Sequence, residues 1–263
     1  MFLWLPPSEG KIAPTAGPPL QLDTLSFPAL TEARALAASE LLQVSAGPDA
    51  AKVLGLGPRA AEEGIKANLG LFTMPCSPAL NVYDGVLYSE LDANSLSRKA
   101  MQTLTESTWI FSALFGALRP HDSIPDHRLA MGVRLPALGA LSAWWRPRLE
   151  EYLPATGGAP VVDLRSGVYQ SAYPARSAHR VEIRAVQVRK GKRRVLSHFA
   201  KLWRGKAARH LLESVPEAGA LDDVLSALAN WRDSAFADVE IEETQENAVG
   251  GSVTRVTLVL HPA

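Results

Sequence analysis

The sequence contains a single cysteine, Cys76, among its 263 residues. One cysteine cannot form a disulfide framework within the chain, which favours a reducing compartment. The apolar stretch at residues 1–6 is too short for the core of a signal peptide, and no apolar run approaches membrane-spanning length. We therefore expect a soluble, cytoplasmic protein with no membrane partner.

An excess of charge of either sign is also absent, because 27 basic residues balance 27 acidic ones. Global charge therefore predicts no partner. Hydrophobic residues make up 47% of the chain, as in ordinary globular proteins, so the composition argues against disorder. The length is sufficient for one large domain or two modest ones.

Short apolar runs between helical patterns predict strands and helices in turn. Phe2–Leu5 and Trp109–Phe111 are typical of buried strands, whereas residues 181–188 alternate apolar and polar side chains as a half-exposed strand does. Apolar residues at helical spacing predict helices over residues 29–44, 138–153, 198–214 and 221–231.

The order of these elements predicts a mixed α/β fold of the α+β class. Residues 239–243 and 253–260 form a closing antiparallel pair in this prediction. No internal repeat or linker is visible in the sequence. We expect a single domain over residues 1–263, with a mixed sheet, flanking helices and a helix-hairpin-helix-like insertion at residues 46–68.

Charge is strongly separated along the second half of the chain. Residues 180–209 contain eleven cations and one acid, Glu182, whereas residues 213–246 contain ten acids and one cation, Arg232. This asymmetry predicts a basic face and an acidic face, and basic faces attract polyanions. For residues 189–194 the alternative is a solvated hairpin whose charges pair in part with the acidic segment.

The predicted helix at residues 198–214 carries the most specific part of this charge. Lys201 and Arg204 lie on one stripe with Ala208, and Gly205 sits beside that stripe. Glycine costs about 1 kcal/mol relative to alanine inside a helix, so its presence suggests close approach of a backbone or a phosphate. The alternative is a tight crossing with another helix.

The first predicted strand leads into Pro-Pro-Ser-Glu-Gly-Lys, which ends at Lys11. The segment is not a nucleotide-binding phosphate loop, because Leu5 stands where the motif needs glycine and Ile12 where it needs Ser or Thr. It remains a strand-end loop with an acid, Glu9, a base, Lys11, and free backbone amides. Strand ends are where open α/β sheets place ligands.

Two further segments suggest chemistry. Gly55-Leu-Gly57 between short helices has the form of a helix-hairpin-helix turn that exposes amides to a DNA phosphate, although a plain turn has the same pattern. The loop at residues 119–128 is rich in Asp, His and Arg, but its spacing fits no metal-ligand pattern, which favours Asp–Arg bridges. We expect neither a metal nor another cofactor.

The four tyrosines at positions 83, 88, 169 and 173 could stack bases, but half-buried packing residues are the default interpretation. Cys76 is expected to be a half-buried loop thiol rather than a nucleophile.

Several ordered blocks of the sequence resemble the YaaA peroxide-stress protein family. They span most of the chain and are Pro7–Lys11, Tyr83–Tyr88, Ser112–Pro120 with Arg128–Met131, Val162–Ser166, and Ser197–Lys201 with Arg204-Gly205. The resemblance implies a cytoplasmic protein of the peroxide response that limits iron-dependent damage. It also implies a mixed α/β fold, a helix-hairpin-helix element and a positively charged cleft that binds DNA, and it strengthens Gly55, Gly57, Lys11, Lys201 and Arg204 as candidates.

Two functions follow as hypotheses. In the first, the protein binds DNA with little sequence preference, through amides of the Gly55–Gly57 hairpin and through basic side chains at Lys11, Arg119, Lys201, Arg204, Lys206 and Arg209. In the second, it is an enzyme acting on a nucleotide or a modified nucleobase in the same basic cleft, with Glu9 or Asp163 as acid or base. Direct iron binding is a third possibility, for which the sequence offers no recognisable site.

Overall fold

The structure, a computed structural model, describes residues 1–189, 192–195, 200–215 and 219–261. Its strands are β1 Phe2–Leu5, β2 Ser77–Pro78, β3 Thr108–Ser112, β4 Gly116–Leu118, β5 Ser123–Ile124, β6 Arg134–Leu135, β7 Gly139–Ala140, β8 Val161–Asp163, β9 His179–Arg189, β10 Lys192–Val195, β11 Phe236–Ile241, β12 Gln245–Glu246 and β13 Ser252–Leu260. Its α-helices are α1 Thr31–Ser45, α2 Ala50–Leu54, α3 Pro58–Leu69, α4 Ala79–Val82, α5 Val86–Leu91, α6 Arg98–Ser107, α7 Leu141–Tyr152, α8 Gly167–Ala172, α9 Ala200–Ser214 and α10 Leu221–Ala229.

One nine-stranded mixed sheet organises the molecule. Its main order is β11-β13-β9-β8-β1-β3-β4, with β10 paired to β9 and β12 paired to β13. The four inner pairings from β13 to β3 are parallel, and the outer pairings are antiparallel. The predicted mixed α/β fold is confirmed, including the closing antiparallel pair β11 and β13.

The centre of the sheet consists of the apolar runs that the sequence predicts as strands. Leu3, Trp4 and Leu5 of β1 are buried, and so is every residue of β3. Strands buried on both faces are typical of parallel sheets covered by helices. The helices α1, α7, α9 and α10 also lie within three residues of their predicted bounds, although the predicted start of α9 at residues 198 and 199 is outside the described residues.

The chain changes direction across the sheet between β1 and β8. After β1 it continues to β3 on one side, whereas after β8 it continues to β9 on the other side. In open parallel sheets, such a reversal leaves a crevice at the carboxyl ends of the two adjacent strands. The loop that follows β1 and the helix that follows β8 both begin at this edge.

Gly205 on α9 packs directly against α5. A β-carbon at position 205 would lie 2.3 Å from the carbonyl oxygen of Leu87 and 2.8 Å from the β-carbon of Glu90. The close approach inferred for this glycine is therefore made by another helix backbone, so the tight-crossing alternative accounts for it.

Opposite charges of the C-terminal half also meet in space. Both terminal nitrogens of Arg193 on β10 contact the Glu240 carboxylate on β11, at 2.7 and 2.5 Å. Lys206 on α9 lies 3.2 Å from a carboxylate oxygen of Asp233. The predicted hairpin turn at Lys190 and Gly191 is outside the described residues. For Arg193, the pairing with the acidic segment is the observed arrangement.

Within the described ranges, no helix is both long and apolar enough to cross a membrane.

Substituting Gly205→Ala should destabilise the fold, because the added methyl group has no room unless α5 and α9 separate. We expect overpacking to lower the free energy of unfolding by about 1 to 3 kcal/mol, an effect that the higher helix propensity of alanine offsets in part. Urea unfolding monitored by tryptophan fluorescence measures this loss. The control is Gly167→Ala at the start of α8, where a β-carbon meets nothing within 4 Å. Equal midpoints for the two variants would contradict the tight crossing.

Candidate functional site at the carboxyl ends of the parallel strands

The loop after β1 is held in place by backbone contacts with the segment around Tyr83. Lys11 forms an isolated antiparallel bridge with Tyr83. Beside it, the Ile12 amide donates to the Val82 carbonyl at 2.9 Å, and the Asp84 amide donates to the Gly10 carbonyl at 3.1 Å. The position of the Lys11 backbone is therefore fixed relative to the sheet edge.

The Lys11 side chain lies in a largely enclosed position. Its ammonium donates to the Ser8 carbonyl at 3.0 Å and lies 5.5 Å from the centre of the Tyr83 ring. Burial and the nearby Arg128 guanidinium lower the pKa of Lys11 from 10.5 to about 8, and the carboxylates of Asp126 and Glu9 offset this only in part. Lys11 is therefore still mostly protonated at pH 7, but its neutral fraction is far larger than that of an ordinary lysine.

Three tyrosines lie close to one another next to Lys11. Tyr83, Tyr88 and Tyr169 are all buried, which is more than the half-burial expected from the sequence. The Tyr88 hydroxyl donates to the Pro6 carbonyl at 2.8 Å, and the Tyr83 and Tyr88 rings stack with their centres 5.7 Å apart. Burial raises the pKa of all three phenols, so they remain protonated, and Tyr83 is the one that faces the Lys11 amine.

The loop that follows β5 closes the site from another direction. Arg128 pairs with Asp126, as the sequence predicts for this loop. His127 is buried between them, and burial together with the charges of Lys11 and Arg128 lowers its pKa well below the usual value. The imidazole is therefore neutral at physiological pH.

The helical insertion between β1 and β3 packs onto this same loop. Asn68 on α3 accepts from the Arg128 amide at 2.7 Å and donates to the Arg128 carbonyl at 3.0 Å. A β-carbon at Gly64, also on α3, would lie 2.9 Å from the Arg128 side chain and 3.2 Å from the Leu56 side chain. Leu56 is the central residue of the predicted hairpin, so the hairpin and the Lys11 site share a wall.

The hairpin itself is exposed. Gly55 ends α2 with a left-handed φ of 66°, which favours glycine, and Gly57 precedes α3 in an extended conformation. A β-carbon at either glycine would meet nothing within 4 Å. The surface above both residues is therefore open to a partner.

Asp163, at the end of β8, lies in a buried ion pair. Its two carboxylate oxygens accept from the fully buried Arg165 guanidinium, each at 2.7 Å, and one of them also accepts from Arg180 at 3.1 Å. Burial disfavours the Asp163 carboxylate, but Arg165 and Arg180 outweigh this effect and hold its pKa below the usual value. The carboxylate is therefore ionised and committed to arginine contacts.

The remaining predicted phosphate contacts are dispersed. Arg119 donates to the Glu106 carbonyl, and Arg209 donates to the carbonyls of Leu91, Asp92 and Ser95. Lys206 pairs with Asp233, as described above. Three of the predicted cations thus have partners within the protein.

Arg204 and Lys201 on α9 differ from those three cations. Arg204 is largely buried, and burial lowers its pKa while Asp163 and Glu182 act in the opposite direction. Its Nε atom is buried, and no hydrogen-bond partner for it exists among the described residues. Lys201 is exposed. Within the described ranges, no hydrogen bond or ion pair joins either residue to Lys11.

Two other expectations concern metal and thiol chemistry. In the part of the chain that the structure describes, no group of three or more His, Cys, Asp or Glu side chains could hold a metal ion. Cys76 is buried rather than half-buried, and burial raises the pKa of its thiol to about 11. A thiol with this pKa is almost entirely protonated and a poor nucleophile at neutral pH.

Sheet and site together define a mixed α/β protein whose helical insertion packs beside the carboxyl ends of its parallel strands. A model of the family described as peroxide stress protein YaaA matches residues 1–231, and the chain belongs to this family. A UPF0246 protein of Streptomyces coelicolor is 40% identical over 267 residues, which cover 99% of either chain. UPF0246 proteins of Corynebacterium glutamicum and Corynebacterium efficiens are 40% and 37% identical, covering 86% and 95% of this chain and 91% and 98% of their own.

Sequence reasoning missed Asn68 and did not assign Arg128 to a ligand site. Asn68 carries no chemical motif, and only its buried position beneath the loop reveals its role. Arg128 lies in one of the segments that resemble the YaaA family, and that resemblance was the sequence signal that could have identified it.

Asp163→Asn should strongly destabilise the protein, because it leaves the buried Arg165 guanidinium without a counter-charge. We expect a loss of about 3 to 5 kcal/mol in the free energy of unfolding. Chemical denaturation measures this loss. Asp233→Asn is the control, because the ion pair between Asp233 and Lys206 is partly exposed. Its removal should lower the free energy of unfolding by less than about 1 kcal/mol. Similar losses for both variants would contradict a structural role of Asp163.

Lys11→Met should stabilise the protein at pH 7. Below about pH 8, Lys11 is protonated in the folded and the unfolded chain, so the cost of enclosing its charge is fully present. As the pH rises from 8 towards 10.5, the folded protein loses this proton first and the cost disappears. We expect the free energy of unfolding of Lys11→Met to exceed that of the wild type by about 1 to 3 kcal/mol at pH 7, and this difference should become smaller towards pH 10. Denaturation across this pH range measures it, with the exposed Lys99→Met as the control.

A Lys11→Met variant that is no more stable than the wild type at pH 7, with an unchanged pH dependence, would show that Lys11 has an ordinary pKa.

Proposed function

We propose that the protein binds duplex DNA with little sequence preference and protects it, together with other targets, from iron-dependent oxidative damage in the peroxide response. Membership of the peroxide stress protein YaaA family supports the physiological setting. The observation that carries DNA binding is the exposed Gly55-Leu56-Gly57 turn between α2 and α3, where no side chain of the described residues covers the backbone of either glycine. The Gly55 and Leu56 amides donate to the Lys52 and Ala51 carbonyls, so the Gly57 amide is the one that would receive the phosphate.

The conformation of this turn suits a phosphate contact. Gly57 precedes Pro58 at the first position of α3, and the exposed Arg59 follows. The first amides of a helix lack intrahelical acceptors and attract anions, and such contacts position a protein on DNA without reading its bases. In this proposal the turn is a helix-hairpin-helix element, and Leu56 anchors it against Gly64.

Basic side chains supply the remaining attraction. The exposed Lys201 is directly available. Arg204 is largely buried, with its Nε atom enclosed, so it would contribute through the part of its guanidinium that reaches the surface. Lys11 is largely enclosed in the strand-end loop and would have to exchange its bond to the Ser8 carbonyl for a phosphate. Arg119, Lys206 and Arg209 would first have to exchange the contacts that they make within the protein, so we assign them a smaller share of the binding free energy.

Gly57→Asp and Gly57→Asn test the hairpin directly. Both side chains have room at position 57, and both residues are good N-caps that should preserve or strengthen α3. Only Asp places a negative charge where the phosphate should bind. Fluorescence anisotropy with a labelled duplex should therefore show binding at least about tenfold weaker for Gly57→Asp than for Gly57→Asn, consistent with repulsion of about 1.4 kcal/mol.

The same assay is repeated from 50 to 200 mM salt. Affinity should fall steeply, with each neutralised phosphate contributing about −0.9 to the slope of log K against log salt concentration. Lys201→Ala should reduce the slope by about one such contact, whereas Lys201→Arg should preserve it. Absence of binding at low salt, or binding that is independent of salt, would overturn the proposal.

A second candidate function is an enzyme acting on a nucleotide or a modified nucleobase. The Lys11 site favours it, because a partly neutral amine, buried phenols and carboxylates meet at the reversal of strand order. Of the two predicted acid–base residues, Glu9 is exposed beside Lys11, whereas Asp163 is held by arginines. Glu9→Gln is therefore the informative variant in any activity assay.

A further inference from the structure

Lys11 combines three features that are rarely found in one lysine. Its backbone is fixed by the bridge to Tyr83, its amine is largely enclosed, and no carboxylate of the described residues lies within ion-pair distance of it. One protein acceptor, the Ser8 carbonyl, is bound to the amine. A lysine that only stabilised the loop would gain more from a paired carboxylate, as Lys206 does with Asp233.

The surroundings keep this amine reactive. Three segments bring charged or titratable groups close to it. Its own loop contributes Glu9, and the segment after α4 contributes Tyr83. The loop after β5 contributes Asp126, His127 and Arg128. Tyr83 is protonated and His127 is neutral, so Arg128 is the cation and Glu9 and Asp126 are the anions. Burial and Arg128 favour the neutral amine, which is the nucleophilic form.

The hairpin leads to this amine through a short chain of contacts. Leu56 at the tip of the hairpin and the side chain of Arg128 both lie against Gly64, and Arg128 is close enough to Lys11 to act on its pKa. Asn68 fixes the Arg128 backbone to α3 from the other side. The hairpin is therefore connected to Lys11 through Gly64 and Arg128.

We propose that Lys11 is a catalytic nucleophile that forms an imine with the aldehyde of a sugar, carried either by an abasic site in DNA or by a free sugar phosphate. The abasic-site arm of this proposal rests on the DNA binding proposed above, and the free-sugar arm does not. Abasic sugars equilibrate with an open-chain aldehyde, and oxidative damage to DNA produces them, so the substrate matches the family to which the chain belongs.

Formation of the imine requires only groups that the protein and the substrate supply. The lone pair of the neutral Lys11 nitrogen forms a bond to the aldehyde carbon, and the carbonyl oxygen takes up a proton, giving a carbinolamine. Loss of that oxygen as one molecule of water produces the imine. Glu9, which is exposed and adjacent, can transfer the protons in both steps. No oxidant, reductant or metal is needed.

The experiment traps the imine with cyanoborohydride, which adds hydride to the imine carbon and leaves a stable secondary amine. The probes are a duplex with one abasic site, the same duplex with a tetrahydrofuran analogue that has no aldehyde, and free 2-deoxyribose 5-phosphate. Mass spectrometry of the digested wild-type protein identifies the modified lysine. We expect an adduct on Lys11 with an aldehyde probe and none with the tetrahydrofuran duplex.

Two variants accompany the wild type. Lys11→Arg keeps the positive charge but not the nucleophile. Its adduct, divided by the amount of tetrahydrofuran duplex that the variant binds, should be at least about tenfold lower than that of the wild type. Lys99→Arg, on the exposed face of α6, should react as the wild type does. The rate of trapping should rise between pH 6.5 and 8.5 with the neutral fraction of Lys11.

The outcomes separate the two proposals. An adduct on Lys11 with the abasic duplex supports both, and an adduct with the free sugar phosphate by a protein that binds no DNA supports the imine and overturns DNA binding. Retained DNA binding with no adduct, or with adducts only on surface lysines such as Lys201, overturns the imine and leaves DNA binding intact. Mapping on the wild-type protein gives this answer even if Lys11→Arg fails to fold.

Discussion

Parallel pairing of β1 with both β3 and β8 is the constraint on which the rest of the molecule depends. Leu3 lies opposite Thr108 and Val162, and Trp4 opposite Trp109 and Asp163, so the register fixes which side chains share a face. Parallel strands bring their carboxyl ends to one edge of the sheet. The loops after β1 and β8 must therefore meet there, and the reversal of strand order between them leaves room for a ligand.

The protein buries charge at this edge in two physically different ways. Asp163 is surrounded by Arg165 and Arg180, and the Arg165 guanidinium also lies 4.7 Å from the centre of the Trp4 ring and 4.2 Å from that of Phe111. This paired charge locks the end of β8 onto the aromatic core. Lys11, by contrast, is enclosed without an ion pair in the described part of the chain, and its lowered pKa is the consequence. The paired Asp163 charge is kept as an ion by its arginines, whereas burial without an ion pair shifts Lys11 towards its neutral form.

The helical insertion packs against the loop that contains Arg128, next to Lys11. It is inserted between β1 and β3, and the contacts of Asn68 and Gly64 with Arg128 bring α3 against the loop that faces Lys11. This packing is what allows the proposed DNA binding at the hairpin and the proposed chemistry at Lys11 to involve the same polymer. A hairpin located elsewhere on the surface would make DNA binding and the Lys11 site independent of each other.

The sequence by itself determined the mixed α/β class, the central strands, most helix positions and the presence of Asp–Arg pairing in the loop at residues 119–128, because each depends on local periodicity or spacing. Only the tertiary structure decided which cations are free. Arg209 donates to the carbonyl of Asp92, which lies 117 residues away in the sequence, and Gly205 packs against the carbonyl of Leu87. No local sequence pattern encodes either contact. The pKa of Lys11 was equally hidden, because desolvation is a property of the folded surroundings and not of the residue.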